Sequence, residues 1–127
     1  MAFSYTIDAA NRLARATLSG TVHGTEVLAG ARAIYEDPAW RPGFDTLWEC
    51  TGITELLLER DDMPSIVAVH ERMADRAGDG IEVIVVSRSL DNVMARMYSV
   101  MMRTQKRNVH VCRTVIEASQ ILGRPVS

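Results

Sequence analysis

Lysine is almost absent from this chain of 127 residues: Lys106 stands against thirteen arginines. Fourteen basic and 16 acidic residues leave a net charge of −2. Nucleic-acid recognition wants a clustered basic stripe. The one basic group, Arg103, Lys106 and Arg107, falls at the end of a predicted helix, where cations favour the helix dipole. No nucleic-acid partner is expected. No apolar run approaches the roughly 18 residues of a membrane span. The segment Met1-Ala2-Phe3-Ser4-Tyr5-Thr6-Ile7-Asp8 lacks a basic n-region and a long apolar stretch, so neither a signal peptide nor a membrane span is expected. Cysteine is scarce. Cys50 and Cys112 both fall in apolar, strand-like runs, without a C-x-x-C or Cys/His ligand spacing. They read as buried free thiols in a reducing cytoplasm, and no metal or other cofactor is expected. A Gly-rich phosphate loop is missing too, since Gly20-Thr21-Val22-His23-Gly24 offers only two glycines. Repeats, linkers and low-complexity segments are absent.

What is present is ordinary for a globular domain: 47% apolar and 24% charged residues. At this length a chain buries about two-thirds of its unfolded surface, so residues 1–127 are expected to form one domain without staples. Phe3, Tyr5 and Ile7 alternate with polar residues as a period-2 strand. A turn at Ala9-Ala10-Asn11 leads to a second strand, Arg12 to Ser19, ended by Gly20; the short spacing predicts a hairpin. Thr25 is the predicted cap of a helix carrying Val27, Leu28, Ala31, Ile34 and Tyr35. Two prolines and a glycine make Pro38 to Phe44 a loop. Thr46 to Cys50 is a short central strand, broken by Thr51-Gly52. Asp61 or Asp62 caps the next helix, with Ile66, Val69, Met73 and Ala77 on its buried side. Ile81 to Ser87 has the apolar, β-branched run of a strand covered on both faces. A long helix follows from Ser89 to about Gln105. Val109 to Cys112 is a last strand, and Val115 to Leu122 a last helix stopped by Gly123 and Pro125. The expected fold is α/β: a mixed five-stranded sheet with an N-terminal hairpin and about four helices.

Several segments resemble a family. Asp37-Pro38-Ala39-Trp40-Arg41-Pro42-Gly43-Phe44, then Leu47-Trp48-Glu49 and Gly52-Ile53-Thr54-Glu55-Leu56, look like the loop and third strand of SpoIIAA-like small bacterial proteins. Asn92-Val93-Met94-Ala95-Arg96-Met97-Tyr98 is similar as well, as are Val111-Cys112-Arg113, Glu117-Ala118 and Ile121-Leu122 in the final strand and helix. The resemblance spans nearly the whole chain and implies a STAS-like fold. Regulatory STAS-like proteins are phosphorylated on a serine in an Asp-Ser-Ser-Gly type motif after the third strand. Here the matching stretch is Asp61-Asp62-Met63-Pro64-Ser65, without the paired serines or the glycine. Ser65 is the one hydroxyl left there for a phosphosite.

Candidate chemistry is sparse, and no catalytic residue is assigned. His23, His70 and His110 fall in a loop, on a helix and on a strand, none beside a nucleophile in sequence; His70 reads as a hydrogen-bonded structural histidine. In open α/β sheets ligands collect outside the carboxyl ends of strands, which here are Glu49-Cys50-Thr51 and Ser87-Arg88-Ser89. Asp61, Asp62 and Asp91 open the helices that follow, so their charges disfavour an incoming anion and point to a neutral or apolar ligand. Four of the seven methionines, Met94, Met97, Met101 and Met102, lie on the predicted Ser89–Gln105 helix. Its core stripe leaves Tyr98 and Met102 over, four residues apart on a shared edge, with Arg96 and Arg103 as a polar rim. A second apolar contact, from a dimer mate or a ligand, is the expected use of that edge.

These observations lead to a non-enzymatic binding or regulatory module, cytoplasmic and homodimeric, acting through a protein partner or a small apolar ligand. Its expected surface comprises Glu49, Thr51, Ser87, Ser89, Met94, Arg96, Tyr98 and Met102. The alternatives are an enzyme using Glu49 and a histidine as acid and base, and a partner switch controlled by phosphorylation at Ser65.

Overall fold

Alternation of apolar and polar side chains makes the first two strands a hairpin. The computed structural model describes residues 2–87, 95–96 and 108–126. Strand β1 (Ala2–Asp8) pairs antiparallel with β2 (Leu13–His23), setting Phe3 opposite Leu18 and Tyr5 opposite Ala16. The Asp8 carboxylate accepts from the backbone and side-chain N–H groups of Asn11. Arg12 completes the turn in the left-handed region, at φ 56°.

Strands β2, β3 (Asp45–Leu57), β4 (Ile81–Val85) and β5 (Asn108–Cys112) run parallel, and the sheet order is β1-β2-β3-β4-β5. Two strands are longer than their sequence suggests. β2 continues past Gly20 and β3 continues through Thr51-Gly52, because the two hydrogen-bond to each other as far as His23 and Leu57. The register slips by one residue twice, between Thr17 and Ser19 and between Gly20 and Thr21, each time with the extra residue in β3. Gly20, at φ 73°, thus serves an irregular ladder rather than ending a strand. β4 pairs with β3 only from Thr46 to Glu49, so the far halves of β2 and β3 overhang the sheet.

Helix α1 (Gly24–Glu36) joins β2 to β3 and buries Ala31, Ile34 and Tyr35. Its expected cap, Thr25, lies exposed inside the first turn; the Glu26 carboxylate instead accepts the His23 N–H at 2.9 Å. Gly30 lets α1 approach β1, since a Cβ there would stand 2.8 Å from the Phe3 ring. The loop after α1 is pinned by Trp40, whose indole N–H donates to the Arg76 carbonyl at 2.8 Å. The Arg76 guanidinium returns to the Tyr35 carbonyl at 2.7 Å.

The helix expected to reach Ala77 is two pieces, α2 (Asp62–Arg72) and α3 (Ala74–Ala77), divided at Met73. Neither aspartate caps α2 with its side chain: Asp62 accepts the Glu59 N–H at 2.6 Å, bracing the preceding loop. Helix α4 (Val115–Leu122) starts on Thr114, whose hydroxyl accepts the Glu117 N–H at 3.1 Å, and stops at Gly123 with φ 74°.

Strand alternation sends side chains to two cores. Ala14, Ala16, Trp48, Cys50 and Ile84 meet α1 and α2, joined by Ala95. Leu13, Leu47, Val83, Val85 and Cys112 meet α4 on the other face. Because the parallel strands succeed one another in a single direction, the described sheet has no point where strand order reverses. A switch-point crevice of the kind that usually holds ligands at strand ends is therefore missing from it.

Candidate functional site

The overhang of β2 and β3 leaves a space that α1 and α2 do not fill. Past Glu49, β3 has no β4 beside it, so Ile53 and Leu56 rise with Leu18 as one wall. Trp48, Ile84 and Val86 form the sheet side, while Val27 of α1 and Met63 and Ile66 of α2 face them. The result is a partly open cavity of about 100 Å³ with an almost wholly apolar lining. An enclosed apolar cavity of about 150 Å³ in another protein stays dry and holds benzene, which sets the scale of guest for such a space.

Two ionisable side chains also line it, His70 and Glu82. His70 comes from α2, one turn after Ile66. Glu82 is the second residue of β4, between Thr46 of β3 and Val109 of β5 in register. Both are buried, with 3% and 2% of their surfaces exposed. His70 Nδ1 lies 3.0 Å from the Ile66 carbonyl oxygen. A carbonyl only accepts, so Nδ1 carries the proton of that bond. The Tyr35 ring meets the imidazole edge-on, with centroids 5.6 Å apart and planes at 88°. Held on these two sides, the ring turns Nε2 toward Glu82, 3.9 Å from Oε1. Buried carboxylates cost several kcal/mol unless matched by a partner, and the imidazole stands within ion-pair range of this one.

Those of the residues expected from the sequence that the structure describes lie elsewhere. Glu49 points to the opposite face of the sheet, where Oε1 takes the Arg15 guanidinium at 2.6 Å and Oε2 accepts the Thr17 hydroxyl at 3.4 Å. Its partners are thus an arginine and a threonine. His110 bonds Asn108 at 2.7 Å, and His70 sits across the sheet in the other core. Thr51 is exposed on the overhang and Ser87 is exposed after β4; neither lines the cavity. Arg96 is exposed, next to the buried Ala95. Ser89, Met94, Tyr98 and Met102 lie outside the described residues. Ser65 is exposed near the start of α2, where its hydroxyl donates to the Asp61 carbonyl at 2.8 Å.

Glu82 is the residue that pattern reading passed over. Its signal was a single charge inside Ile81-Glu82-Val83-Ile84-Val85-Val86, a run whose β-branched neighbours place it at the centre of a covered strand. Among the described residues, no three His, Cys, Asp or Glu side chains gather as a metal site, and no helix is long and apolar enough to cross a membrane.

No family model matches this chain, and no curated protein matches it.

Proposed function

We propose that this chain is a STAS-like binding module that takes a small apolar molecule between its helical layer and its sheet. The observation that carries the reading is the cavity of about 100 Å³ walled by Leu18, Ile53, Leu56 and Trp48. Its apolar lining favours a guest driven in by burial, at about 25 cal/mol per Å² removed from water. The five-stranded mixed sheet and the N-terminal hairpin support the STAS-like part of the reading. The homodimer implied by Tyr98 and Met102 belongs to the same proposal and rests on the sequence. Proton chemistry at Glu49 is a weaker reading, because the carboxylate is engaged by Arg15 and Thr17.

The test is an NMR titration with cyclopentane, a hydrocarbon of suitable size. Saturable shifts confined to the methyl groups of Leu18, Ile53, Leu56, Ile66 and Ile84 are expected, and Ile53→Phe, which fills the space, abolishes them. An absence of saturable shifts in the folded wild type rejects the cavity as a binding site.

A further inference from the structure

A guest reaches a largely buried space through the part of its wall that water touches. Of the described side chains lining the cavity, Val27, Leu56, Leu58 and Met63 are half-buried and the rest are buried. Those four come from the start of α1, the end of β3 and the start of α2, so the mouth lies where the three meet. We infer that Asp62, seated on Gly24, is the latch of that mouth, and that guests enter when the first turn of α2 lifts from the start of α1. The inference rests on the binding reading above and names how its site is opened.

Three features converge on it. The first is fit. Gly24 opens α1, and a Cβ built there would overlap the Asp62 carboxyl group. Glycine leaves the room in which that group lies on the helix backbone. The second is the strap of residues 58–61 that crosses from β3 to α2. Its turn closes on itself, since Asp62 Oδ2 accepts the Glu59 N–H at 2.6 Å and the Asp62 N–H donates to the Glu59 carbonyl at 3.1 Å. The strap leaves β3 at Leu57, the register partner of His23, and returns at Asp62 to Gly24, the next residue. It therefore begins and ends beside the start of α1, and the seat of Asp62 brings the start of α2 against it.

The third feature is how burial changes along α2. Asp61, Pro64 and Ser65 beside the latch are exposed, whereas Ile66, Val67, Val69 and His70 are buried. Local opening draws on the segments with the fewest buried contacts, and here that is the first turn. Lifting it carries Met63 away from Val27 and widens the mouth, while Ile66 and the residues after it keep their packing. Loops that close over a site control entry in the same way. The chain also holds its own reporters of such an opening. Cys50 lines the cavity and Cys112 lies in the core across the sheet, both buried. A thiol reacts only where the reagent reaches it, so Cys50 reports the mouth and Cys112 reports general loosening.

The experiment times the reaction of both cysteines with methyl methanethiosulfonate, a small uncharged thiol reagent, by peptide mass spectrometry. In Asp62→Ala, Cys50 is expected to react about tenfold faster than in wild type, with Cys112 unchanged. Asp62→Asn keeps an acceptor for the Glu59 N–H and the bulk over Gly24, and is expected to react near the wild-type rate. Equal Cys50 rates in wild type and folded Asp62→Ala overturn the latch and leave the apolar site standing. So does an acceleration shared by both cysteines. If cyclopentane does not bind the wild type in the titration above, the site falls and the latch with it. Circular dichroism reports whether each variant is folded. Should Asp62→Ala not fold, Gly24→Ala, whose methyl group displaces the Asp62 carboxyl, decides by the same two rates.

Discussion

Arg15 Nη2 and Glu49 Oε1 meet at 2.6 Å across the β2–β3 ladder, on the face of the sheet turned away from the cavity. The side chains keep 25% and 20% of their surfaces exposed, so water screens part of the attraction. Glu49→Ala leaves a half-buried guanidinium without its carboxylate and is expected to cost about 1 kcal/mol. Urea melting measures that loss. Binding of cyclopentane is expected to be unchanged, because the residue lies across the sheet from the site. An unaltered melt refutes the structural role of Glu49.

The edge strand is tied to the end of α1 by another pair. The Tyr5 hydroxyl donates to an Asp37 carboxylate oxygen at 2.8 Å, and the other oxygen accepts the Ala39 N–H at 2.8 Å. The backbone hydrogen bond from Ala39, then that from Tyr5, lowers the Asp37 pKa below its ordinary value of 3.8. A carboxyl group depressed on folding stabilises the protein above its unfolded pKa, and the contribution is lost as pH falls through the folded value. Wild type is therefore expected to exceed Asp37→Asn in stability at pH 7, with a smaller gap at pH 3. Urea melts of both proteins at the two pH values check it, and a constant gap counts against the linkage.

Cys112 packs under α4 with its thiol toward the Thr114 carbonyl at 3.4 Å. Burial raises its pKa above the ordinary 9.0; the backbone contact at Thr114 partly opposes this, and the charge of Glu117 adds to the rise. A group raised on folding stabilises below its unfolded pKa and loses that contribution as pH climbs through the folded value. The thiolate is the reactive form. Iodoacetamide at pH 8 is expected to modify Cys112 at least tenfold more slowly in native protein than in urea, as followed by mass spectrometry. Equal rates would show that the thiol is neither shielded nor shifted.

Much of the architecture was legible from local pattern. Phe3, Tyr5 and Ile7 alternate as a strand must, and Val115 to Leu122 is a helix stopped at Gly123, as its chemistry predicts. The errors share one cause. Gly20 and Thr51-Gly52 looked like strand ends because glycine weakens an isolated strand, while here β2 and β3 supply each other's hydrogen bonds through both bulges. Thr25 and Asp62 looked like caps because their types suit the position, but Glu26 and the Glu59 backbone took those bonds.

The candidate site was less legible. Strand-end reasoning led to Glu49, Thr51 and Ser87, and a sheet whose parallel strands advance in one direction offers no crevice there. The cavity depends instead on how far two strands outrun a third. That is a matter of pairing between residues some thirty positions apart, as Gly20 with Ile53, and no local pattern encodes it.

Composition and periodicity by themselves determined the α/β class, the hairpin and the order of the five strands, because those follow from interactions within a few residues. Periodicity also marked His70 as lying beside a buried stripe and Ile81 to Val86 as a covered strand. Only the tertiary structure decided that the one charge in that strand, Glu82, faces the imidazole of α2 at the edge of an apolar space. The reason is physical: a side chain's direction is set by its own backbone, but its partner is set by the packing of a helix and a strand that the sequence keeps apart.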